Sequence, residues 1–380
     1  MLIAAVIVAA IFLAYANGAN DNFKGVATLY GSFTANYRVS LWLGTIATFA
    51  GSISALFIAS GLIKMFSGSG VVPADVAAAP AFAASVAAAA AATVLVATRL
   101  GLPISTTHAL TGAIIGAGLV SVGTELDLGF LGRSFLLPLL SSPVLAVALA
   151  IPLYYVLHRL AQQTGLKRDT CICLDGSKLL PVRDLRIAAA DASHFAIATL
   201  EPDGRIVTVA SMRQCVEKYN GRVLGISARS LTDGVHFLSA AAVSYARGLN
   251  DTPKLLGLLL VVDLFDIRGG VLAVAVFMAL GGLINARRVA VTMSRKISRM
   301  NDGQALTANL VTAFLVIVAS RMGLPVSTTQ VSVGAITGVG VVNRSADKGM
   351  VGTILASWLL TLPVSFALAV CANLLLRGMA

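Results

Sequence analysis

The sequence predicts an all-α polytopic membrane protein: two inverted-topology repeats with broken or re-entrant helices, plus a small soluble insert with some β-structure. Three observations lead there. Charge is scarce, apolar segments recur at membrane-spanning length, and two motifs occur twice in the same order. Of 380 residues, 57% are hydrophobic and 12% are charged, against about 25% charged in a typical soluble domain. A soluble surface needs ionic side chains to keep it in water. The charges are also clustered, with 18 of 45 falling in residues 159–229. A soluble enzyme, a secreted disulfide scaffold and a disordered tail are thereby excluded. The expected division is 1–158 as a first transmembrane repeat, 159–229 as a soluble insert and 230–380 as a second transmembrane repeat.

A spanning helix needs about 20 mostly apolar residues. In the first block such segments lie near 1–17, 40–62, 80–98, 104–123 and 133–157, and in the second near 235–261, 270–286, 304–321, 325–342 and 350–376. The stretch Met1–Ala16 has no basic leader and runs straight into polar residues, so it reads as a mature helix, not a cleaved signal. Phe23 to Phe33 is too short to span and reads as the second half of a broken helix. In the insert, residues 196–200 and 205–209 alternate as strands around Pro202-Asp203-Gly204, a hairpin signal. Cys171, Cys173, Cys215 and Cys371 show no framework spacing and read as free thiols in a reducing compartment.

The two blocks repeat each other. Ala16-Asn17-Gly18-Ala19-Asn20-Asp21 aligns with Ala246-Arg247-Gly248-Leu249-Asn250-Asp251, an offset of 230 residues. Gly101-Leu102-Pro103-Ile104-Ser105-Thr106-Thr107 aligns with Gly323-Leu324-Pro325-Val326-Ser327-Thr328-Thr329, an offset of 222 residues. Basic residues set the orientation, because Lys and Arg near span ends resist translocation. The insert is basic, and Arg287, Arg288, Arg295, Lys296 and Arg299 crowd between two spans. With both cytoplasmic, the termini lie outside and each block crosses an odd number of times. The repeats are then inverted, an arrangement secondary transporters use to build a midplane site.

Both motifs carry chemistry. Asp21 and Asp251 are enclosed by apolar spans, where ionisable groups are costly and mark an ion or substrate path. Each follows an asparagine, Asn20 or Asn250. Carboxylate, carboxamide and freed carbonyl oxygens are hard ligands suited to a small cation or a proton. The alternative is a helix cap at a membrane boundary. In the second motif, Pro103 and Pro325 are expected to start half-helices. Ser105-Thr106-Thr107 and Ser327-Thr328-Thr329 then sit in first turns, where free N–H groups and the positive dipole end attract an oxyanion. The alternative there is hydroxyls bonding back to i−4 carbonyls.

These residues bring the chain to a known family. It resembles the inorganic phosphate transporter (PiT) family over both apolar blocks. The family's Gly-Ala-Asn-Asp signature stands at 18–21 and, degenerate, at 248–251; its Gly-Leu-Pro-x-Ser-Thr-Thr signature stands at 101–107 and 323–329. The resemblance implies a secondary active transporter moving inorganic phosphate by alternating access with Na+ or H+ as coupling ion. Phosphate would be held by the Ser/Thr segments, and coupling cations, including Na+ at Asp21 and Asp251, would lie near the Asn-Asp pairs. The expected setting is the plasma membrane, with outside termini and a cytoplasmic central loop. Expected partners are phosphate, the lipid bilayer and a second copy in a homodimer. Neither nucleic acid nor an organic cofactor is expected.

The chain departs from the family pattern at two points. Where a further asparagine follows three residues after the aspartate, this chain has Lys24 and Lys254. Residues three apart share a helix face, so each lysine can neutralise its aspartate and either take the space or charge otherwise supplied by sodium or contact the anion directly; the other reading is that both snorkel to an interface. Arg247, opposite Asn17 in the repeat, is a one-sided anion contact. Gln330 stands where histidine is frequent, as at His108, for which packing or capping is a simpler role than proton transfer. Sulfate, another tetrahedral oxyanion, is the rival substrate. A membrane enzyme acting on phosphate esters lacks clustered ligands or a triad, and the membrane subunit of an ATP-driven importer would need its nucleotide loop elsewhere. Accessibility labelling of terminal tags in intact cells should find both termini outside; either terminus inside overturns the topology.

Overall fold

The computed structural model describes residues 1–163, 167–175, 178–181, 198–200, 206–208, 215–220, 222–223, 226–262, 266–297 and 300–378. Its long helices follow the apolar segments closely. In the first block they are α1 (Leu2–Asp21), α3 (Tyr37–Ile58), α6 (Pro80–Arg99), α7 (Thr106–Val122) and α9 (Leu137–Gln163). Short helices α2 (Ala27–Gly31), α4 (Ser60–Phe66), α5 (Ala74–Ala77) and α8 (Leu128–Leu131) lie between them. In the second block come α10 (Ala228–Leu259), α11 (Ile267–Asn285), the short α12 (Arg287–Val291), α13 (Asp302–Arg321), α14 (Thr328–Val342) and α15 (Lys348–Arg377). Among the described residues, eight helices are long and apolar enough to cross a membrane. α9 and α15 keep rows of exposed leucine and valine, such as Leu137, Leu140, Val144, Leu359, Leu360 and Leu374. Apolar surface so extensive suits lipid and not water.

The breaks are as informative as the helices. α1 stops at Asp21, five residues of turn follow, and α2 resumes at Ala27, the broken helix expected at Phe23 to Phe33. Its counterpart α10 runs through Asp251 unbroken but contains Pro253, which has no N–H to give the Leu249 carbonyl.

Each Gly-Leu-Pro motif ends one helix and begins the next. Gly101 has φ +72° and Gly323 φ +67°, the left-handed conformation that closes helices and that glycine adopts without strain. The closing bonds match: Leu102 N to Ala97 O and Gly101 N to Thr98 O, against Leu324 N to Ala319 O and Gly323 N to Ser320 O. One expectation is corrected here. Pro103 and Pro325 do not start the half-helices; these begin at Thr106 and Thr328. The reason is that Ser105 and Ser327 act as N-caps, accepting from the backbone N–H of His108 and Gln330, each at 3.2 Å. The prolines stand in the extended segment just before.

Packing repeats between the blocks. α1 lies against α6 and α11, while α10 lies against α13 and α3; α7 lies on α15 as α14 lies on α9. Close approaches obey the same offset. A Cβ on Gly18 would strike the Met278 carbonyl, and one on Gly248 the Thr48 carbonyl. Gly281 meets Tyr15 as Gly51 meets Tyr245. The repeats are therefore interlocked, each clamping the other's helices backbone to backbone, as small residues allow in lipid.

In the insert, β1 (Lys167–Asp175) pairs antiparallel with β2 (Lys178–Pro181) and with β5 (Cys215–Asn220). β3 (Ala198–Leu200) pairs antiparallel with β4 (Ile206–Thr208), as the hairpin requires; its turn at 201–204 falls outside the described residues. The register sets Cys173 opposite Cys215, a proximity their spacing does not reveal.

Overpacking a close contact destabilises by about 1–3 kcal/mol or more. Gly18→Ala and Gly281→Ala should therefore lower the melting temperature of the detergent-purified protein, whereas Gly352→Ala, where a Cβ meets nothing, should not. Equal tolerance at all three positions would contradict the interlocked packing.

Candidate functional site

The end of α1, the middle of α10 and the starts of α7 and α14 converge in the interior. There Asp21 and Asp251 are 1% and 2% exposed, Lys24 and Lys254 3% and 1%, and Arg247 1%. The lysines do not snorkel. Both ammonium groups point inward, so the interface reading of these residues is set aside.

Each lysine is held by three oxygens of three kinds. Lys24 Nζ donates to the Asp21 carboxylate in a short ion pair, to the Ile104 carbonyl at 2.7 Å and to the Thr329 hydroxyl at 2.6 Å. Lys254 Nζ donates to Asp251 Oδ1 at 3.2 Å, to the Val326 carbonyl at 2.8 Å and to the Thr107 hydroxyl at 2.8 Å. Each ammonium thus reaches the threonine of the other repeat. Those threonines also cross over: Thr107 donates to the Val326 carbonyl at 3.2 Å and Thr329 to the Ile104 carbonyl at 3.0 Å. The two Ser-Thr-Thr segments consequently meet face to face.

The surrounding amides support this core. Asn20 Nδ2 donates to Thr98 Oγ1 at 2.9 Å and to the Leu102 carbonyl at 3.0 Å. Asn250 donates to the Val326 carbonyl and to Asp251, and accepts from Ser320 Oγ, all at 3.2 Å. Asn17 Nδ2 donates to Asp21 Oδ2 at 3.1 Å and to Thr106 Oγ1 at 3.0 Å, and the Thr106 hydroxyl donates to Asp21 Oδ2 at 3.2 Å. Ser105 and Ser327 serve as caps, and Thr328 is buried beside them. His108 and Gln330 face each other across the pair, Nε2 to Nε2 at 3.4 Å.

At the position equivalent to Asn17 the symmetry fails. Arg247 is buried, yet Nε, Nη1 and Nη2 all lack a hydrogen-bond partner. Asn17 Oδ1, Asn20 Oδ1 and Asp251 Oδ2 are likewise unpartnered. A guanidinium taken from water without partners is expensive to hold, and it offers a planar fork suited to an oxyanion. With all five ionised, the side chains sum to one unmatched positive charge.

Sequence reasoning found the charged groups but not their props. Thr98 and Ser320 occupy equivalent places under the 222-residue offset, which is the signal that would have found them. A second polar cluster was also missed. His236 contacts Asp302 at 3.2 Å and Thr28 at 3.1 Å, and Asn309 Nδ2 donates to Thr28 at 3.1 Å and to Ser239 at 3.0 Å. It ties α2 to α10 and α13, and it has no counterpart in the other repeat. Among the described residues there is no group of His, Cys, Asp and Glu able to hold a metal ion.

Residues 17–369 match the Phosphate transporter family. The chain is 25% identical to a putative phosphate permease of Pyrococcus horikoshii, covering 94% of this chain and 93% of that protein. It is 23% identical to a probable low-affinity inorganic phosphate transporter of Bacillus subtilis, covering 98% and 96%. A solved structure described as the sodium-dependent phosphate transporter shares the fold, with a TM-score of 0.74 at 20% identity and full coverage of both chains.

Breaking a buried ion pair at one partner costs about 3–5 kcal/mol, because the other charge is left unpaired. Lys24→Met should therefore destabilise the purified protein by that order, and the Asp21→Asn/Lys24→Met double variant should recover part of the loss. Additive losses in unfolding measurements would deny the pair.

Proposed function

The chain belongs to the phosphate transporter family, and from that premise we propose that it is a secondary carrier which moves inorganic phosphate by alternating exposure of the buried site. The family is one of transporters and not of enzymes, and the chain is a multi-pass membrane protein. In the proposal, the two repeats are inverted across the plasma membrane, with termini outside and the insert cytoplasmic. Among the described residues, the eight helices of crossing length divide as five in the first block and three in the second, each an odd number. α14, with 15 residues, rises only about 22 Å, short of a roughly 30 Å hydrocarbon core. It is thus suited to begin inside the bilayer.

The observation that carries the reading is the unpartnered Arg247 guanidinium. It lies within electrostatic reach of Asp21 and Asp251, and Asp21 accepts from Thr106 at the start of α7. Backbone N–H groups and dipoles at helix N-termini favour an anion. Thr106, Thr107, Thr328 and Thr329, with Arg247, form the proposed anion site, in which the hydroxyls of Thr106, Thr107 and Thr329 turn from Asp21 and the Val326 and Ile104 carbonyls to the anion; Ser105 and Ser327 position it as caps. Asn20, Asn250, Asp21 and Asp251 border it, and their rearrangement accompanies gating. Dihydrogen phosphate neutralises the one unmatched positive charge, whereas sulfate, a dianion at neutral pH, would leave a negative one. Phosphate can also donate a hydrogen bond to the free Oδ2 of Asp251, which sulfate cannot.

Proteoliposomes holding only this chain should take up labelled phosphate without ATP, and excess sulfate should compete weakly. Phosphate should raise the melting temperature of the wild type but not of Arg247→Met. Thr107→Ala, inserted normally, should transport at least tenfold more slowly. Uptake that requires ATP, or that prefers sulfate, would overturn the reading.

A further inference from the structure

We propose that Lys24 and Lys254 are tethered counter-cations occupying the two places a coupling sodium would need, so that the chain carries phosphate without sodium. The inference rests on the phosphate reading above and deepens it. Each ammonium sits in a cage of one carboxylate, one backbone carbonyl and one hydroxyl: Asp21, Ile104 and Thr329 for Lys24, and Asp251, Val326 and Thr107 for Lys254. Hard, uncharged or anionic oxygens from three directions form the donor set that a small monovalent cation takes. For Lys254 a fourth face is closed by the Phe66 ring, whose centroid lies 5.7 Å away and attracts cations of any kind.

Oxygens already engaged by an ammonium cannot ligate sodium at the same point. Nor does the charge call for one. Each aspartate is neutralised by its own lysine, and the remaining positive charge belongs to Arg247. A sodium ion entering with phosphate would find both carboxylates matched. The same cage in both repeats makes an isolated substitution a poor account: both lysines are present, both inward, and both hold the opposite repeat's threonine.

A consequence follows for energetics. A free cation crosses with its substrate, whereas a side chain stays with the protein. Only the anion's charge then moves in each cycle. A monovalent anion feels the membrane potential by roughly 50-fold per 100 mV. Net flux should therefore follow the phosphate gradient and the potential, not the sodium gradient. Asn17 Oδ1, Asn20 Oδ1 and Asp251 Oδ2 remain as unpartnered acceptors; sodium held there instead is the competing outcome.

Proteoliposomes decide the matter. Wild-type phosphate uptake should change less than twofold when sodium is replaced by choline on both sides, and a positive-inside potential set with potassium and valinomycin should accelerate it. In Lys24→Asn/Lys254→Asn, which empties both cages, sodium should stimulate uptake at least fivefold. The same variant gives a readout that needs no transport: sodium should raise its melting temperature by stabilising the unpaired carboxylates, and leave the wild type unchanged. Wild-type uptake that requires sodium, or that a positive-inside potential fails to accelerate, overturns the proposal. So does a double variant whose melting temperature ignores sodium. Failure of phosphate to be carried or to stabilise the protein in any salt would instead count against the phosphate reading, and the sodium melting shift would still test the lysines.

Discussion

Five ionic side chains buried together set the terms for everything else in this molecule. Charge removed from water is costly without close partners, and for the two lysines those partners come from both halves of the chain. Lys24 begins in the first repeat and ends on Thr329 of the second; Lys254 begins in the second and ends on Thr107 of the first. Neutralising the aspartates therefore also fastens the two Ser-Thr-Thr segments to each other. A site assembled this way exists only while both repeats are in register, which is the task of the backbone contacts at Gly18, Gly51, Gly248 and Gly281. Electrostatics at the centre and glycine contacts around it are thus two parts of one constraint.

The Gly-Leu-Pro-x-Ser-Thr-Thr motif acquires a division of labour from the same view. Its glycine closes one helix in the left-handed conformation, its proline occupies the extended link, and its serine caps the next helix. Only the threonines are left to face the interior. Most of the motif is thus a device for stopping a helix and restarting it at a buried point. That device matters because a helix end inside an apolar core presents free backbone N–H groups. Such groups are what a buried anion requires.

Much of this was legible in the sequence because the relevant signals are local or repeated. Spans near 80–98 and 304–321 became α6 (Pro80–Arg99) and α13 (Asp302–Arg321) with shifts of a residue or two, since apolar length is what lipid selects. The Asp21–Lys24 and Asp251–Lys254 pairs followed from a spacing of three. The start of the half-helices did not follow, because proline and serine both signal a helix N-terminus and only the three-dimensional bond to His108 or Gln330 decides between them. The cross-repeat contacts of the lysines were not legible either. They depend on how two segments more than 200 residues apart meet, and no spacing within either segment encodes that. The His236–Asp302–Thr28–Asn309 cluster was hidden for a third reason: it lacks a repeat partner, and symmetry was the main guide.

Asymmetry at one position gives the site its sign. With asparagine at both 17 and 247, two lysines would balance two aspartates, and an entering anion would meet no net charge. With arginine at both, two guanidinium groups would need partners in the absence of substrate. One arginine against one asparagine leaves a single positive charge on an otherwise two-fold arrangement. Asn17 bonds to Asp21 and Thr106 and so completes its half. Arg247 makes no such bonds and leaves its half open. The symmetric parts hold the site in shape, and in the proposed reading the one departure from symmetry supplies the attraction for a monovalent oxyanion. The same departure makes the two halves of the site chemically unlike, with a bonded neutral amide on one side and an unpartnered charged fork on the other.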